Sequence, residues 1–219
     1  MGAFDIVGPI MIGPSSSHTA GACRLGKMAS TILGEKPVKA LITLHGSFAK
    51  THKGHGTDKA LIAGLLGLQA DDAGIKNSFA LARETQMEFT FSFAESGECH
   101  PNTTEFELQG ASGKTVKVIG ASVGGGSIVI SKIDGYDVEC TGEYQTLIAV
   151  YQDKPGVIAM ITQILGLQGV NIATMRVSRK QKGSQALMVI ETDQLITGSI
   201  MDTIRTLPGI ESAILVQPL

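Results

Sequence analysis

A run of small hydroxyl residues and one imidazole precedes an apolar stretch near the start of the chain, GPSSSHTAG over residues 13–21. The N-terminus of a helix presents unpaired N–H groups and a partial positive charge. The hydroxyls of Ser15, Ser16 and Ser17 add donors there, so the stretch can hold a carboxylate or a phosphate. His18 lies in the same turn and can add a proton or a charge. The alternative is a plain serine cap, a preferred helix start, beside a histidine that faces solvent.

A second polar stretch, LHGSFAKTHKGHGTDKA, holds three of the five histidines within eleven residues. His45, His52 and His55 follow a predicted strand on what the glycines indicate is a loop, and Gly56 and Thr57 lead into a helix. Loops at strand ends are where α/β and α+β proteins gather catalytic groups, so we expect a polar substrate site. A surface basic loop and a zinc site are the alternatives, although the spacing is not the four-apart histidine pair of a metalloprotease.

A third polar stretch, ECHPNTTEF, places Asn102 and Thr103 around a proline turn at the edge of a strand. A turn rich in proline and asparagine is expected for structural reasons alone. Taken by itself, this stretch therefore favours a structural turn over a binding site.

The C-terminal part of the chain offers a separate candidate site. Gly156, in DKPGVIAMI, lies where the N–H groups of a helix start are unpaired, and Asn171 opens the following strand. An amino acid can dock between them through its carboxylate and ammonium groups. The alternative is a plain dimerising domain whose exposed strand pairs with a neighbour.

The elements that carry the first three stretches form a domain that we place at residues 1–140. Apolar residues recur at three and four over residues 19–33, which predicts a helix begun by the serines. VKALITLHG alternates like a strand, and GTDKALIAGLLGLQADD is apolar nearly all round, which predicts a buried helix. MEFTFSF and the segment after it predict strands with one face exposed to solvent. They include a hairpin at glycines 124–126.

The second domain, residues 144–219, follows a different pattern. A strand precedes a helix with Pro155 at its start and Gly169 just past its end. Two strands, an amphipathic helix and a last strand follow, so the order is the βαββαβ of a ferredoxin-like domain. The predicted fold class is therefore α+β, with a mixed α/β domain before the ferredoxin-like one.

Composition narrows the class of protein. The 219-residue chain has a formal net charge of −2 and no block of lysine and arginine, which argues against a nucleic-acid partner. It has neither a long apolar run nor the basic-then-apolar order of a secretory signal, so we expect a cytoplasmic protein with no membrane partner. Cys23, Cys99 and Cys140 lie far apart, which favours reduced thiols over a disulfide framework.

Four motifs together, GPSSSHTAGACRLGKMA, HGSFAKTHKGHGTDKALIAGLLG, HPNT and SVGGGSI, closely resemble the β chain of the iron–sulfur-dependent bacterial L-serine dehydratases, or L-serine ammonia-lyases. YQDKPGVIAMITQILGLQGVNIATMRVSR is similar to the ACT domain, a small βαββαβ amino-acid sensor. The resemblance covers nearly the whole chain.

The resemblance implies a lyase that turns L-serine into pyruvate and ammonia with a [4Fe-4S] cluster whose open iron binds the substrate. A metal must draw charge from the poor leaving hydroxyl while a base takes the weakly acidic α-proton. This chain lacks a set of cluster cysteines, so the resemblance implies a separate α chain that carries the cluster and no metal ligand here. We also expect two β chains to pair through the ACT domain.

The resemblance also assigns site residues. The contacts that it implies with the carboxylate or the leaving group are Ser15, Ser16, Ser17, His18 and Thr19. The second wall that it implies comprises His45, His52, His55, Gly56 and Thr57, followed by Asn102 and Thr103. The base is one of the histidines, with His18, His55 and His45 as candidates, or it is a group of the α chain.

A rival hypothesis comes from another class of protein. The first domain also resembles the allosteric substrate-binding domain of some phosphoglycerate dehydrogenases. In that interpretation the chain is a regulatory serine sensor without catalytic activity. Both hypotheses expect anion recognition at the serine run, and they differ in whether His18 and His55 are needed for turnover.

Overall fold

The chain forms two structural units, Met1–Asp134 and Gly135–Leu219. The computed structural model describes residues 10–95 and 97–219. Within these ranges, none of the helices combines the length and the apolar character needed to cross a bilayer.

The first unit combines a sheet with a layer of helices. Its helical elements are a π-helical turn over Ser16–Gly21, α1 over Ala22–Leu33, α2 over Gly46–His55, α3 over Thr57–Leu65, a 3₁₀ turn over Ala73–Asn77 and α4 over Ser78–Glu84. Its strands are β1 over Pro37–His45, β2 over Glu88–Ala94, β3 over Thr103–Gly110, β4 over Thr115–Gly124 and β5 over Ser127–Ile133.

The position of β1 in the sheet decides which polar stretches meet. The strand order within this unit is β2-β1-β3-β4-β5, with β1 parallel to β2 and antiparallel to β3. Leu44, next to the end of β1, pairs with Thr104 at the start of β3. Antiparallel strands run in opposite directions, so the end of β1 lies beside the start of β3. The segment after β1 and the segment before β3 therefore lie at the same end of the sheet.

Helices α1 and α3 approach each other closely through two glycines. A Cβ atom built on Gly26 would collide with the Leu61 carbonyl oxygen, and one on Gly64 would collide with the Cys23 carbonyl oxygen. The apolar faces of both helices, which include Leu25 and Leu61, are buried in the core. The absence of side chains at the two glycines is therefore what lets the helix backbones touch.

The second unit has the predicted ferredoxin-like arrangement. After β6 over Tyr136–Cys140 come β7 over Gln145–Gln152, α5 over Val157–Leu167, β8 over Ile172–Arg179, β9 over Gln185–Thr192, α6 over Gly198–Arg205 and β10 over Ile210–Val216. The four strands from β7 onward form a sheet in the order β10-β7-β9-β8, and all neighbouring pairs are antiparallel. This is the split βαβ order expected from the sequence.

The start of the first helix differs from the prediction. Apolar spacing predicts a helix from residue 19, whereas the α-helix begins at Ala22 and a π-helical turn over Ser16–Gly21 precedes it. Such turns close with i→i+5 hydrogen bonds and are common at functional sites. The π-helical turn buries Thr19, Ala20 and Gly21, so its buried residues continue the apolar pattern of α1, and apolar spacing alone does not mark where the helix type changes.

The loop predicted around the histidines is wrong, because Gly46–His55 forms α2. Gly46, at φ +50°, lets the chain turn at once from the extended His45 into a helix. Gly56, at φ +67°, ends α2 and directly begins α3. The histidines therefore lie on a helix between two glycine hinges instead of on a loosened loop.

Candidate active site

The serine run forms a cap that also holds the histidine. Ser15 is extended, and its Oγ accepts a hydrogen bond from the backbone N–H of His18 at 3.1 Å. The same Oγ lies 3.4 Å from Nδ1 of the His18 ring. Ser16 and Ser17 are half-buried in the turn that follows. Ser15 therefore caps the helix start, as the alternative interpretation expected. His18, however, is half-buried and does not face solvent as that interpretation also expected.

The other ring nitrogen of His18 reaches across to α2. Nε2 of His18 lies 3.1 Å from Oγ of Ser47, the second residue of α2. The N–H of Ser47 donates to the carbonyl oxygen of Pro101 at 2.8 Å, which links this contact to the turn before β3. Ser47 is absent from the residues expected from the sequence. In the sequence, the one signal for Ser47 was that it is the first hydroxyl residue after Gly46, the glycine predicted to end the strand.

His18 and His55 are brought together. Their ring centroids are 4.7 Å apart at an interplanar angle of 61°, and the buried ring of Phe48 lies 5.2 Å from His18. The hydroxyl of Thr19 donates to the carbonyl oxygen of His55 at 3.1 Å, which ties the π-helical turn to the end of α2. Two histidines that lie 37 positions apart in the sequence thus face each other in one half-buried cluster.

Burial, and to a smaller extent the neighbouring His55, lower the pKa of His18. A neutral imidazole has one N–H and one lone pair, so His18 can donate to one hydroxyl neighbour and accept from the other. Near neutral pH the ring therefore remains able to take up a proton.

The lowered pKa of His18 predicts how stability depends on pH. Between the ordinary histidine pKa of about 6.5 and the lower folded value, the unfolded chain binds more protons, so the free energy of unfolding should fall as the pH drops through this window. The contribution of His18 to the free energy of unfolding is present in full above the ordinary histidine pKa of about 6.5. In urea unfolding at a series of pH values, His18→Gln should show a shallower decline than the wild type. Identical pH profiles for the two proteins would contradict the assignment.

Several buried polar atoms around this cluster have no hydrogen-bond partner among the described residues. They include His55 Nδ1, Thr57 Oγ1, Asn102 Oδ1 and Ser122 Oγ. Thr57 begins α3 directly after Gly56. Burying such atoms without partners costs free energy, so they mark a place where a polar ligand can be accommodated.

Asn102 reaches the cluster through β4. The N–H of Ser122 donates to the carbonyl oxygen of Asn102 at 3.1 Å, and Asn102 Nδ2 lies 3.4 Å from the Ser122 carbonyl oxygen. Ser122 is fully buried against Gly21, where a Cβ atom would collide with its hydroxyl. Ser122 opens the SVGGGSI motif, but no residue pattern pointed to it as a site residue, because its place depends on the pairing of β3 with β4. Thr103 instead uses its hydroxyl in the turn, donating to the His100 carbonyl oxygen at 2.7 Å.

His45 and His52 make their described contacts elsewhere. Nδ1 of His45 lies 3.4 Å from the carbonyl oxygen of Glu95, just after β2. Nδ1 of His52 donates to the carbonyl oxygen of Ala49 at 2.8 Å, and its ring lies 4.7 Å from that of Phe93. The contacts of the serine run are therefore with His55 and Ser47, whereas His45 and His52 contact α2 itself and the end of β2.

The candidate residues of the second unit lie at the ends of its elements. Gly156, at φ +96°, caps the start of α5. The N–H of Asn171 donates to Gln194 Oε1 at 2.6 Å, and its side-chain amide donates to Asp193 Oδ2 at 2.6 Å. The side chain of Asn171 is thus engaged with the segment that follows β9.

The cysteines do not fit an iron–sulfur cluster, which requires several thiolate ligands around one position. Cys23 and Cys140 are buried and Cys99 is exposed. Burial raises the pKa of Cys23 to about 12 and also raises that of Cys140, so both stay protonated. Within residues 10–95 and 97–219, no group of three or more His, Cys, Asp and Glu side chains is arranged to hold a metal ion.

Two family models match the sequence in the order of the two units. The "Serine dehydratase beta chain" model matches residues 3–88, and the "ACT domain" model matches residues 145–209. The second match agrees with the ferredoxin-like topology of β7 to β10. The first match contains the serine run and α2, which are the elements that carry His18 and His55.

Known proteins match over most of the chain. The "Probable L-serine dehydratase, beta chain" of Bacillus subtilis (strain 168) is 40% identical over 207 residues, 94% of each chain. The "L-serine dehydratase, beta chain" of Peptoniphilus asaccharolyticus is 38% identical, over 92% of this chain and 91% of its own. A D-3-phosphoglycerate dehydrogenase of B. subtilis is 27% identical, over 89% of this chain but 37% of its own. The chain therefore belongs to the family of L-serine dehydratase β chains, and it carries an ACT domain.

Proposed function

We propose that this chain is the β subunit of an L-serine ammonia-lyase, which converts L-serine into pyruvate and ammonia together with a separate α chain. The similarity to two L-serine dehydratase β chains supports this assignment. The observation that carries it is the half-buried pair of His18 and His55, capped by Ser15 and bordered by polar atoms that have no partner among residues 10–95 and 97–219. This cluster can bind a small polar substrate and exchange a proton with it.

The proposed reaction is a β-elimination. A base removes the proton from the α-carbon of L-serine, the electron pair forms a double bond to the β-carbon, and the β-hydroxyl leaves as water. The resulting aminoacrylate tautomerises to an imine, which water hydrolyses to pyruvate and ammonia. In this proposal the [4Fe-4S] cluster and its ligands belong to the α chain, because the cysteines of the present chain do not fit one.

The residues of this chain bind the substrate and handle protons. The turn residues Ser15, Ser16, Ser17 and Thr19 hold the carboxylate or the leaving hydroxyl, at a helix start that favours anions. His18 takes up or returns a proton while Ser15 and Ser47 orient its ring.

A second set of residues borders the substrate from the other side. His55, Thr57 and Asn102 offer polar side-chain atoms that lack partners within the described chain, and Gly56 lies between the first two of them. His45, His52 and Thr103 complete the wall in this proposal, although their described polar contacts are with backbone carbonyl oxygens of the chain itself.

The ACT domain has a separate role in the proposal. Strand β8 is an edge strand, and Met175 and Val177 on it are exposed. Edge strands with exposed apolar side chains pair readily with a second copy. We propose that two β chains pair through this domain and that an amino acid docks near Gly156 and Asn171. We place the assembled enzyme in the cytoplasm, where thiols stay reduced.

A regulatory sensor is the second candidate function. It is favoured by the match to D-3-phosphoglycerate dehydrogenase, which covers 37% of that protein and 89% of this chain. In this version the same cluster binds serine as an effector, and His18 and His55 contribute affinity without chemistry.

The first experiment isolates the tagged full-length chain from its own host under strict anaerobiosis and measures pyruvate formation from L-serine. The α chain is identified by mass spectrometry, and its iron content is measured in the same sample. Pyruvate formation that fades on exposure to air is the expected result. An iron-loaded complex that forms no pyruvate would overturn the lyase proposal in favour of the sensor.

A further inference from the structure

Hydroxyl groups lie at both nitrogens of the His18 ring, and other rings lie close to it. Nδ1 lies 3.4 Å from Ser15 Oγ, and Nε2 lies 3.1 Å from Ser47 Oγ. The rings of Phe48 and His55 lie 5.2 and 4.7 Å away, measured between centroids. An imidazole takes up a proton at one of its two nitrogens. As long as the ring keeps this position, a proton from a substrate therefore reaches it through one of the two hydroxyls.

The two hydroxyls differ in their other hydrogen bonds. Ser15 Oγ accepts the backbone N–H of His18 at 3.1 Å, as the cap of the π-helical turn. Within residues 10–95 and 97–219, Ser47 Oγ is hydrogen-bonded to Nε2 of His18 alone. A hydroxyl has one donor and two acceptor lone pairs. Ser47 can therefore donate to Nε2 and still take up a proton from another group, while Ser15 accepts the proton of Nδ1.

Ser47 is half-buried and lies between His18 and the turn before β3. Its N–H donates to the carbonyl oxygen of Pro101 at 2.8 Å, and the next residue, Asn102, has a buried Oδ1 without a partner in the described part of the chain. Ser47 is also the second residue of α2. The partial positive charge of a helix N-terminus stabilises negative charge, which develops on a hydroxyl oxygen that gives up its proton.

We propose that Ser47 relays the α-proton of L-serine to His18 and is thus a catalytic residue of the elimination. The inference rests on the proposed function, because that function supplies the substrate. It adds the group of this chain that meets the α-proton, and it gives Ser47 a chemical role besides the orientation of the ring.

The proposed step moves two protons together. The hydroxyl proton of Ser47 passes to Nε2 of His18 while Oγ takes the proton of the α-carbon. The electron pair of the broken C–H bond forms the double bond to the β-carbon, and the β-hydroxyl departs. Ser47 is then again a neutral hydroxyl and His18 is an imidazolium. The imidazolium returns one proton, through a neighbouring hydroxyl, to the departing oxygen, so water leaves and the ring is neutral again.

The first measurement needs neither a partner nor turnover. Burial lowers the pKa of His18, so the ring is neutral near pH 7. Nitrogen NMR of the full-length chain with labelled histidine should then show the His18 proton on Nδ1 and a lone pair on Nε2. The spectrum of His18→Gln identifies the His18 signals. A proton on Nε2 would overturn the inference, because Nε2 could not accept the Ser47 proton.

The second measurement is turnover of L-serine by the anaerobic complex with the α chain. Ser47→Thr and Ser47→Val add the same volume, but only threonine keeps the hydroxyl. Ser47→Val should lower kcat by about 10²-fold or more, with little change in KM, whereas Ser47→Thr should keep most of the wild-type rate.

Thr31→Val is the matched control, because it makes the same exchange of hydroxyl for methyl in another helix. The Thr31 hydroxyl donates to the Lys27 carbonyl oxygen within α1 at 2.9 Å. The kcat of this variant should equal that of the wild type. Thermal unfolding of each variant identifies a loss of fold.

Isotope effects separate a relay from a purely orienting role. With L-serine deuterated at the α-carbon, cleavage of the C–H bond is slower and limits the rate more strongly. The rate in light water should still exceed that in heavy water, because the Ser47 hydroxyl proton moves in the same step. This solvent effect should disappear in Ser47→Val, where no hydroxyl proton accompanies the α-proton.

Three results would overturn the inference. They are a proton on Nε2 of neutral His18, equal kcat values for folded Ser47→Thr and Ser47→Val, and an unchanged solvent effect in Ser47→Val, which would leave Ser47 with an orienting role. A wild-type complex that forms no pyruvate would instead refute the proposed function, and this result is seen before any substitution is made.

Discussion

Replacing His18 by alanine should lower the rate of pyruvate formation from L-serine by about 10²–10⁴-fold, the range that a positioned acid or base contributes. His18 contacts hydroxyls at both ring nitrogens and stays neutral near pH 7, because burial and His55 lower its pKa. Alanine removes the group that takes up the proton. The measurement is the steady-state rate of the anaerobic complex with the α chain, and kcat should fall more than KM rises.

Companion variants separate chemistry from structure. His55→Ala should also reduce turnover strongly, because His55 faces His18 and its Nδ1 has no hydrogen-bond partner in the part of the chain that the structure describes. His18→Gln keeps a similar volume and a hydrogen bond to Ser47 but cannot take up a proton, so it should remain as slow as His18→Ala. The thermal unfolding temperature of each variant, and the amount of α chain that it binds, should match those of the wild type. If both alanine variants turned over L-serine normally, with altered affinity alone, His18 and His55 would have no catalytic role and this chain would be a regulatory subunit.

Gly64→Ala should destabilise the chain by about 1–3 kcal/mol, the usual cost of adding a methyl group where there is no room. In an ordinary helix the same substitution stabilises by roughly 0.5–1 kcal/mol. Here the new methyl group would collide with the Cys23 carbonyl oxygen and the Lys27 backbone nitrogen, both on α1. Helices α1 and α3 would have to separate. Urea unfolding of Gly64→Ala and of the wild type measures the difference.

Gly54→Ala is the matched control in the same unit. Gly54 also lies in a helix, but a Cβ atom there would meet no atom within 4 Å. This variant should therefore be as stable as the wild type or slightly more stable. Equal stability of Gly64→Ala and Gly54→Ala would mean that the contact between α1 and α3 is loose enough to absorb a methyl group.

Local chemistry explains which parts of the fold were predictable. The order of β7, α5, β8, β9, α6 and β10 follows from alternation, helical spacing and turn residues, and these signals are local in sequence. The helix over Gly46–His55 was not predicted, because Gly46, Gly54 and Gly56 are typical of a loop. Two of these three glycines act as hinges at positive φ, and the residues between them are free to form a helix.

The sequence by itself determined the family resemblance, the two kinds of domain and the presence of the serine run, the histidine stretch and HPNT. Only the tertiary structure decided that His18 meets His55 and Ser47, that His45 and His52 contact the end of β2, and that Ser122 lies beneath Gly21. These pairs are separated by many positions along the chain. Their contacts depend on the placement of β1 between β2 and β3 and on the direction of α2, which no local pattern of residues encodes.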